Sequence, residues 1–255
     1  MIYDIFGYYL KLQKLLLMKK IILKTLEKLG YRISKINSKS KPSIGFNQAY
    51  LSSICDPDIV IDVGVGYGTH SLYKAYPKAT LMLVEPLIAE YSEAIDKIKV
   101  NYSCEVFGCA LGESKGEMQL NFDINNLQKA SLFERTGLTK NEGSITTKSV
   151  EVTTLDNILD SKELANKKVI LKIDTEGGEL SVLKGGMSSI RQIDFIIAEV
   201  SLAKRFESSY EFEDLIEFMS TNGFKVFSFL TMSFPSKEPR QRFTDILFKN
   251  TTKNH

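Results

Sequence analysis

The stretch that most restricts this chain is Ile59-Val-Ile-Asp-Val63 running directly into Gly64-Val-Gly66-Tyr-Gly68. An apolar, β-branched run carrying a single carboxylate, Asp62, reads as a buried strand. Glycines at alternate positions adopt positive φ without steric cost and let backbone approach a ligand closely, so the strand is expected to end in a tight turn. Thr69–Tyr76, closed by Pro77, reads as the helix that the turn opens. A glycine turn between a buried strand and a helix is where open α/β sheets bind their ligands.

The rest of the chain repeats the alternation. Thr80–Val84 is a second buried strand, and Ile88, Tyr91, Ile95 and Ile98 stripe a helix. Tyr102–Phe107, Val150–Thr154, Val169–Asp174 and Phe195–Val200 read as further strands. Leu180, Leu183, Met187 and Ile190 mark the helix between the last two. Tyr210–Asn222 is expected to be helical, with Gly223 at its end, followed by strands Phe224–Phe229 and Thr244–Lys249. Residues 112–150 look polar and irregular, suited to short strands and loops. Buried strands separated by helices pair in parallel, with helices on both faces. Only a turn-rich segment with Pro235 and Pro239 separates the last two strands, so they form an antiparallel pair at the sheet edge. The fold class is therefore α/β, a doubly wound, mostly parallel seven-stranded sheet of Rossmann-like type with an antiparallel edge and an N-terminal helical extension.

Composition excludes several classes of chemistry. With 43% hydrophobic and 25% charged residues and a net charge of +2, the chain is globular in type. His70 and His255 are the sole histidines, so a histidine-based zinc site or a Ser-His-Asp unit has almost nothing to be built from. Cys55, Cys104 and Cys109 form no CxxC pair and suit a reducing, cytoplasmic setting. No uninterrupted apolar stretch is long enough to span a bilayer, and no signal peptide is recognisable.

The ligand of the glycine turn is narrowed by its neighbours. Glu85 closes the second strand, where a carboxylate can accept both hydroxyls of a ribose. Thr69 stands where a dinucleotide fingerprint needs its third glycine, and no GxxxxGK[ST] loop exists for a nucleoside triphosphate. A nucleotide-dependent enzyme of another kind, such as a dehydrogenase, and a non-catalytic binding module both remain open on these residues alone.

The segment Asp62–Gly68 resembles motif I of class I S-adenosylmethionine-dependent methyltransferases. Val150-Glu-Val-Thr-Thr-Leu-Asp156, Leu171-Lys-Ile-Asp174-Thr-Glu176-Gly-Gly-Glu179-Leu and Val182-Leu-Lys-Gly185 resemble the signature blocks of the FkbM family, and Ile197-Ala-Glu199-Val and Asp245-Ile-Leu-Phe248 resemble its later strands. One departure is Val65-Gly66-Tyr67, where members commonly carry Ala-Asn. The likeness covers roughly residues 58–249. It implies an O-methyltransferase with S-adenosyl-L-methionine as cofactor and a hydroxyl acceptor, on a sugar of a glycan or glycolipid or on a polyketide-type small molecule.

The resemblance also implies roles. Gly64, Gly66 and Gly68 border the methionine part of the cofactor, and Asp62 holds its ammonium end. Glu85 takes the ribose hydroxyls, while Cys109, Ala110 and Leu111 lie near the adenine. Asp174 or Glu176 serves as base or substrate-orienting acid, because methylating an alcohol requires removal of its proton. Strand alternation puts Ile170, Lys172 and Asp174 on one side. A lysine within an apolar strand needs an answering carboxylate, from Asp156, Asp174 or Glu199. Lys172 and His70 are further candidates for proton transfer. Ser131, Arg135 and Glu199 are candidates for substrate contact, as is Lys129 in the irregular insertion. Asp174, Glu176 and Glu199 also offer oxygen ligands for a divalent metal, which three acids without a spacing rule do not favour.

The N-terminal 41 residues carry ten Lys or Arg against Asp4 and Glu27, giving +8 and leaving −6 for the remainder. Leu15, Met18, Ile22, Leu26 and Leu29 recur at helical spacing, opposite Lys20, Lys24 and Lys28. The division expected is 1–41, a basic amphipathic helix and linker, and 42–255, the methyltransferase domain. Such a helix packs on the main domain or rests, through residues 1–30, on the anionic inner face of a membrane. No nucleic-acid motif accompanies it. Oligomeric state leaves no trace in the sequence.

Overall fold

The computed structural model describes residues 18, 20, 22, 24–26, 46–136, 145–231 and 241–253. The chain divides into two compact units, Met1–Pro42 and Ser43–His255. In the first, the described residues lie in a helix, with Met18 and Ile22 exposed. The other positions of the expected basic helix lie outside the described residues.

The second unit begins with a short helix that sequence periodicity did not reveal, α1 (Gln48–Ile54). Asn47 caps it by accepting the Tyr50 N–H at 3.1 Å. The elements that follow are β1 (Ile59–Val63), α2 (His70–Ala75), β2 (Thr80–Val84), α3 (Ser92–Asn101) and β3 (Cys104–Phe107). All five residues of β1 are buried, as a central parallel strand requires. Next come β4 (Ala110–Leu111), β5 (Gly116–Asp123), β6 (Asn126–Ser131), β7 (Ile145–Thr153), α4 (Leu155–Leu159), β8 (Val169–Ile173) and α5 (Glu179–Lys184). The chain closes with β9 (Phe195–Ser201), α6 (Phe212–Thr221), β10 (Phe224–Phe229) and β11 (Phe243–Asn250).

Seven strands form one sheet in the order β10-β11-β9-β8-β1-β2-β3. The chain winds outward from β1 to β2 and β3, then restarts on the other side with β8 and β9. The reversal therefore lies between β1 and β8, which are parallel neighbours with Asp62 opposite Lys172. The antiparallel pair closes the far edge, with β11 inserted between β9 and β10 and running against both. Ile61, Val63, Leu171 and Ile173 pack on one face, and Val60, Leu81, Ile170 and Ile197 on the other. Both faces are thus apolar, which is why these strands read as continuous hydrophobic runs.

Two expectations need correction. The described residues of 112–150 are more regular than expected: β4, β7, β5 and β6 form a second sheet in that order, and β5 and β7 are eight and nine residues long. Along these strands Leu120, Phe122, Val150 and Val152 are the apolar positions that face a core, so most of each strand is solvated and the alternation is faint. The helix expected through Ile190 ends at Lys184, with Gly185 as its cap, and a separate 3-10 turn covers Ile190–Gln192. A Cβ on Gly185 would lie 2.0 Å from the Gly112 carbonyl oxygen, so this helix terminus abuts the start of the second sheet. Met187 is consequently exposed.

Candidate active site

The carboxyl ends of β1 and β8, at the reversal, open into a cavity of about 540 Å³. That is within the size range of small-molecule sites. Its floor is the glycine loop Gly64–Gly68, which leaves β1 with positive φ at Gly64, Gly66 and Gly68. A Cβ at Gly64 would fall 1.9 Å from the Asp174 carbonyl oxygen, so the loops after β1 and β8 touch backbone to backbone. At Gly66 the nearest atoms to a Cβ are those of the Tyr91 ring, 3.8 Å away, and the Gly66 backbone faces the cavity.

Glu85, at the end of β2, lines the cavity and is buried. One of its oxygens accepts the Gly66 N–H and the other the Leu87 N–H, each at 2.9 Å. Burial pushes its carboxyl above the usual range, against the pull of those two N–H groups. A carboxylate offers about four lone-pair sites, so acceptor capacity remains for ligand hydroxyls. Cys109, Ala110 and Leu111 form part of the wall, and burial raises the Cys109 thiol to about 11, which keeps it unreactive.

Beneath the loop lies a buried ionic cluster. The Lys172 ammonium, 4% exposed, sits 3.2 Å from Asp62, 3.3 Å from Asp174 and 3.4 Å from the Gly64 carbonyl oxygen. Burial alone would favour its neutral form, but the carboxylates of Asp174, Asp62 and Asp245 outweigh that and hold it above its ordinary range. Asp62 is wholly buried and also accepts the Tyr73 hydroxyl. Asp174 differs: its side chain is 34% exposed and reaches the cavity.

A second cluster borders the same cavity. Glu176, in the left-handed conformation at φ 53, receives Arg205 and, at 3.2 Å, Arg135. Arg205 also binds Glu199 at 2.6 Å and lies over the Phe206 and Phe243 rings. Burial raises the carboxyls of both Glu176 and Glu199, and Arg205 opposes it. Glu179 ties the loop from within, accepting the N–H groups of Thr175 and Gly177 and, at 2.8 Å, the Tyr210 hydroxyl. Ser131 donates to the Glu176 carbonyl oxygen at 2.6 Å.

The profile of the methyltransferase FkbM domain matches residues 62–226. The chain belongs to the FkbM methyltransferase family. The hexuronic acid methyltransferase AglP of Haloferax volcanii is 28% identical over 145 residues, 57% of this chain and 56% of AglP, so the chain covers little more than half of that relative's length. Among solved structures, the precorrin-6y C5,15-methyltransferase of Geobacter metallireducens aligns at 11% identity and a TM-score of 0.41, over 86% of this chain and 100% of its own. The magnesium protoporphyrin IX methyltransferase of Synechocystis, solved with bound S-adenosylmethionine, aligns at 11% identity and a TM-score of 0.41, over 80% of this chain and 76% of its own.

S-adenosylmethionine is the cofactor of FkbM methyltransferases, and the residues present fit it. An open backbone cradle at Gly66, a carboxylate with spare acceptor capacity at Glu85 and a buried apolar wall at Cys109–Leu111 line one cavity. Gly64, Gly66, Gly68, Glu85, Cys109, Ala110, Leu111, Lys172, Asp174, Glu176 and Glu199 all line it. Asp62 does not; its carboxylate is engaged by Lys172 and Tyr73 under the loop, away from an ammonium group in the cavity. His70 is exposed, outside the lining, with its ring 6.1 Å from that of Tyr73. Lys172 is a fixed cation instead of a base. Its partners are Asp62 and Asp174, whereas Asp156 accepts the Ser188 and Ser189 N–H groups. Ser131 and Arg135 brace Glu176 from behind and do not line the cavity. Glu176 and Glu199 are bound by arginine, and no group of three or more His, Cys, Asp or Glu able to hold a metal exists among the described residues.

Sequence reasoning missed two parts of this site. Arg205 sits outside every motif, and its signal would have been the surplus of acids in the motif blocks that some cation must answer. The roof, formed by Met118, Leu120, Leu127 and Ala130 of the second sheet and Leu132 just past it, lies in the segment read as irregular.

Proposed function

We propose that this chain transfers a methyl group from S-adenosylmethionine to a hydroxyl of a sugar in a glycan or glycolipid. The observation that carries this reading is Asp174. It is the partly exposed carboxylate at the carboxyl end of β8, held by Lys172 at 3.3 Å and facing the cavity that the glycine loop and Glu85 border. When bound, S-adenosylmethionine supplies an electrophilic methyl group. Asp174 would orient the acceptor hydroxyl and take its proton as the oxygen lone pair forms the new C–O bond and the methyl–sulfur bond breaks, its electron pair staying on sulfur to leave S-adenosylhomocysteine. Lys172 fixes the carboxylate in place and stays cationic throughout. Glu176, immobilised by two arginines, shapes the acceptor side, and the roof of the second sheet limits access of water. AglP, by its name a methyltransferase of hexuronic acid, supports a sugar acceptor.

The test incubates purified protein with S-adenosylmethionine and a panel of sugars, uronic acids and polyketide-type hydroxyl compounds. It follows S-adenosylhomocysteine release and a mass gain of one CH2 in the acceptor. Sugar-dependent turnover that falls about 10²–10⁴-fold in Asp174→Asn, with cofactor affinity kept, is the expected result. Turnover of the polyketide-type compounds alone would exclude the sugar reading, and tight binding of NAD without binding of S-adenosylhomocysteine would exclude methyl transfer.

The basic segment 1–41 would bring such an enzyme to an anionic inner membrane face, where lipid-linked glycans are presented. No helix among the described residues is long and apolar enough to cross a membrane. Flotation on anionic liposomes by the full chain, lost on deletion of 1–41, is the expected outcome; both proteins staying in solution would remove this assignment.

A further inference from the structure

Beside the active-site cavity runs an open groove of about 660 Å³. We propose that it holds the sugar units extending an oligosaccharide acceptor beyond the unit that is methylated; this rests on the reading of the chain as a glycan methyltransferase. Glu113, Phe133 and Ser181 line both spaces, so the groove is continuous with the cavity that holds Asp174. An acceptor longer than one sugar has an exit here.

The chemistry of the lining selects among occupants. Phe133 and Phe218 offer half-buried rings, on which the C–H face of a pyranose can lie. Glu113, Asp214 and Glu217 offer carboxylates that accept vicinal hydroxyls, and Lys184, the cation of the groove, lies 3.9 Å from Glu113. The surplus of negative charge repels polyanions and disfavours uronate units at this position. An apolar acyl chain would leave those carboxylates desolvated. Neutral hexose units satisfy both the rings and the acids.

The wall is fixed before any ligand arrives. Ser209 donates to the Gly177 carbonyl oxygen at 2.6 Å, and Tyr210 donates to Glu179, which also accepts from Thr175 next to Asp174. The groove and the catalytic loop therefore share one buried carboxylate, and little ordering is needed on binding. Ser208, at φ 54, is held in a left-handed turn on the groove rim, with the Glu207 N–H bound to the Glu134 carbonyl oxygen at 2.7 Å.

The test uses the full chain with neutral hexose trisaccharides of α and β linkage and their methyl monosaccharides, together with a trisaccharide ending in a uronate. The trisaccharides are expected to exceed the monosaccharides in kcat/KM by about ten- to a hundred-fold, and the Glu217→Lys exchange to cut that ratio about ten-fold. Amide resonances of Ser208, Ser209 and Glu217 are expected to shift on titration with neutral trisaccharide and not with the uronate-ended one. Equal turnover of short and long acceptors with unmoved groove amides overturns the groove proposal and leaves methyl transfer standing. Shifted groove amides without turnover of any acceptor show saccharide binding in the groove but overturn its role as an acceptor subsite, together with the glycan-methyltransferase reading. Neither binding nor turnover overturns both.

Discussion

The Gly66 N–H points at one oxygen of the Glu85 carboxylate, 2.9 Å away, while the Leu87 N–H holds the other. Glu85 is thus a buckle between the glycine loop and the end of β2, and it lines the cavity in which we propose the ribose is held. Glu85→Gln keeps the volume but removes one acceptor oxygen and places an NH₂ group against an N–H donor. Loss of a charge-assisted hydrogen bond costs about 1.5–3 kcal/mol. Binding of S-adenosylhomocysteine, measured by calorimetry, is expected to weaken about ten- to a hundred-fold in Glu85→Gln and further in Glu85→Ala. Unchanged affinity with retained circular dichroism would show that the cofactor does not use this pocket.

The two innermost glycines of the loop separate steric from conformational cost. Both have positive φ, which disfavours an alanine by roughly 1–2 kcal/mol. Gly64→Ala also drives a methyl group to 1.9 Å from the Asp174 backbone oxygen, whereas Gly66→Ala meets nothing nearer than 3.8 Å. Urea denaturation is expected to show Gly64→Ala as the far more destabilised protein. Gly66→Ala is expected to fold with a loss near the αL cost alone, yet to bind S-adenosylhomocysteine poorly. Equal destabilisation of the two variants would contradict the backbone contact between the loops.

How much of this was legible in sequence follows the physics of each part. The β1 turn, β2 and β8 were plain because central parallel strands are apolar on both faces and glycines punctuate them. Glu85 was singled out by its place at a strand end, and Asp174 and Cys109–Leu111 came with the family resemblance; all of them line the one cavity. The second sheet was not legible, since β5 and β7 bury a residue only at a few positions and their pairing is long-range. The resemblance put Asp62 at the ammonium end of the cofactor; in the fold its carboxylate meets Lys172, opposite it on β8, a partner that neither the motif nor strand alternation names. His70 stood out by rarity alone, which carries no geometry. Arg205 was invisible because its acids lie on two separate elements, the loop after β8 and strand β9.

Lys172 is a buried counter-ion shared by Asp62 and Asp174. Removing one partner of a buried pair strands the other, at a cost of about 3–5 kcal/mol. Lys172→Met is expected to lose stability on this scale, chiefly through Asp62, which is fully buried. Adding Asp62→Asn should restore much of it in denaturant titrations, because the stranded charge is gone. Methyl transfer is not expected to return in the double variant, since Asp174 still lacks its anchor. Recovery of activity together with stability would reduce Lys172 to a packing role.

Arg205 offers the sharpest contrast between charge and shape. Its guanidinium reaches Glu176 and Glu199 with separate nitrogens while stacked on Phe206 and Phe243. A lysine at that position keeps the positive charge but cannot present two N–H groups in fixed directions or lie flat on a ring. Arg205→Lys is therefore expected to fold, with acceptor KM raised about ten-fold and S-adenosylhomocysteine affinity unchanged, if Glu176 shapes the acceptor side as we propose. Arg205→Gln leaves Glu199 without its cation while Glu176 keeps only Arg135, and its stability is expected to fall as pH rises. Burial already places both carboxyls above their ordinary range in the folded protein, so the folded state binds more protons than the unfolded state, and that preference is lost once pH passes their folded values. Urea midpoints that stay flat between weakly acidic and neutral pH in Arg205→Gln would refute the coupling of these two acids through the arginine.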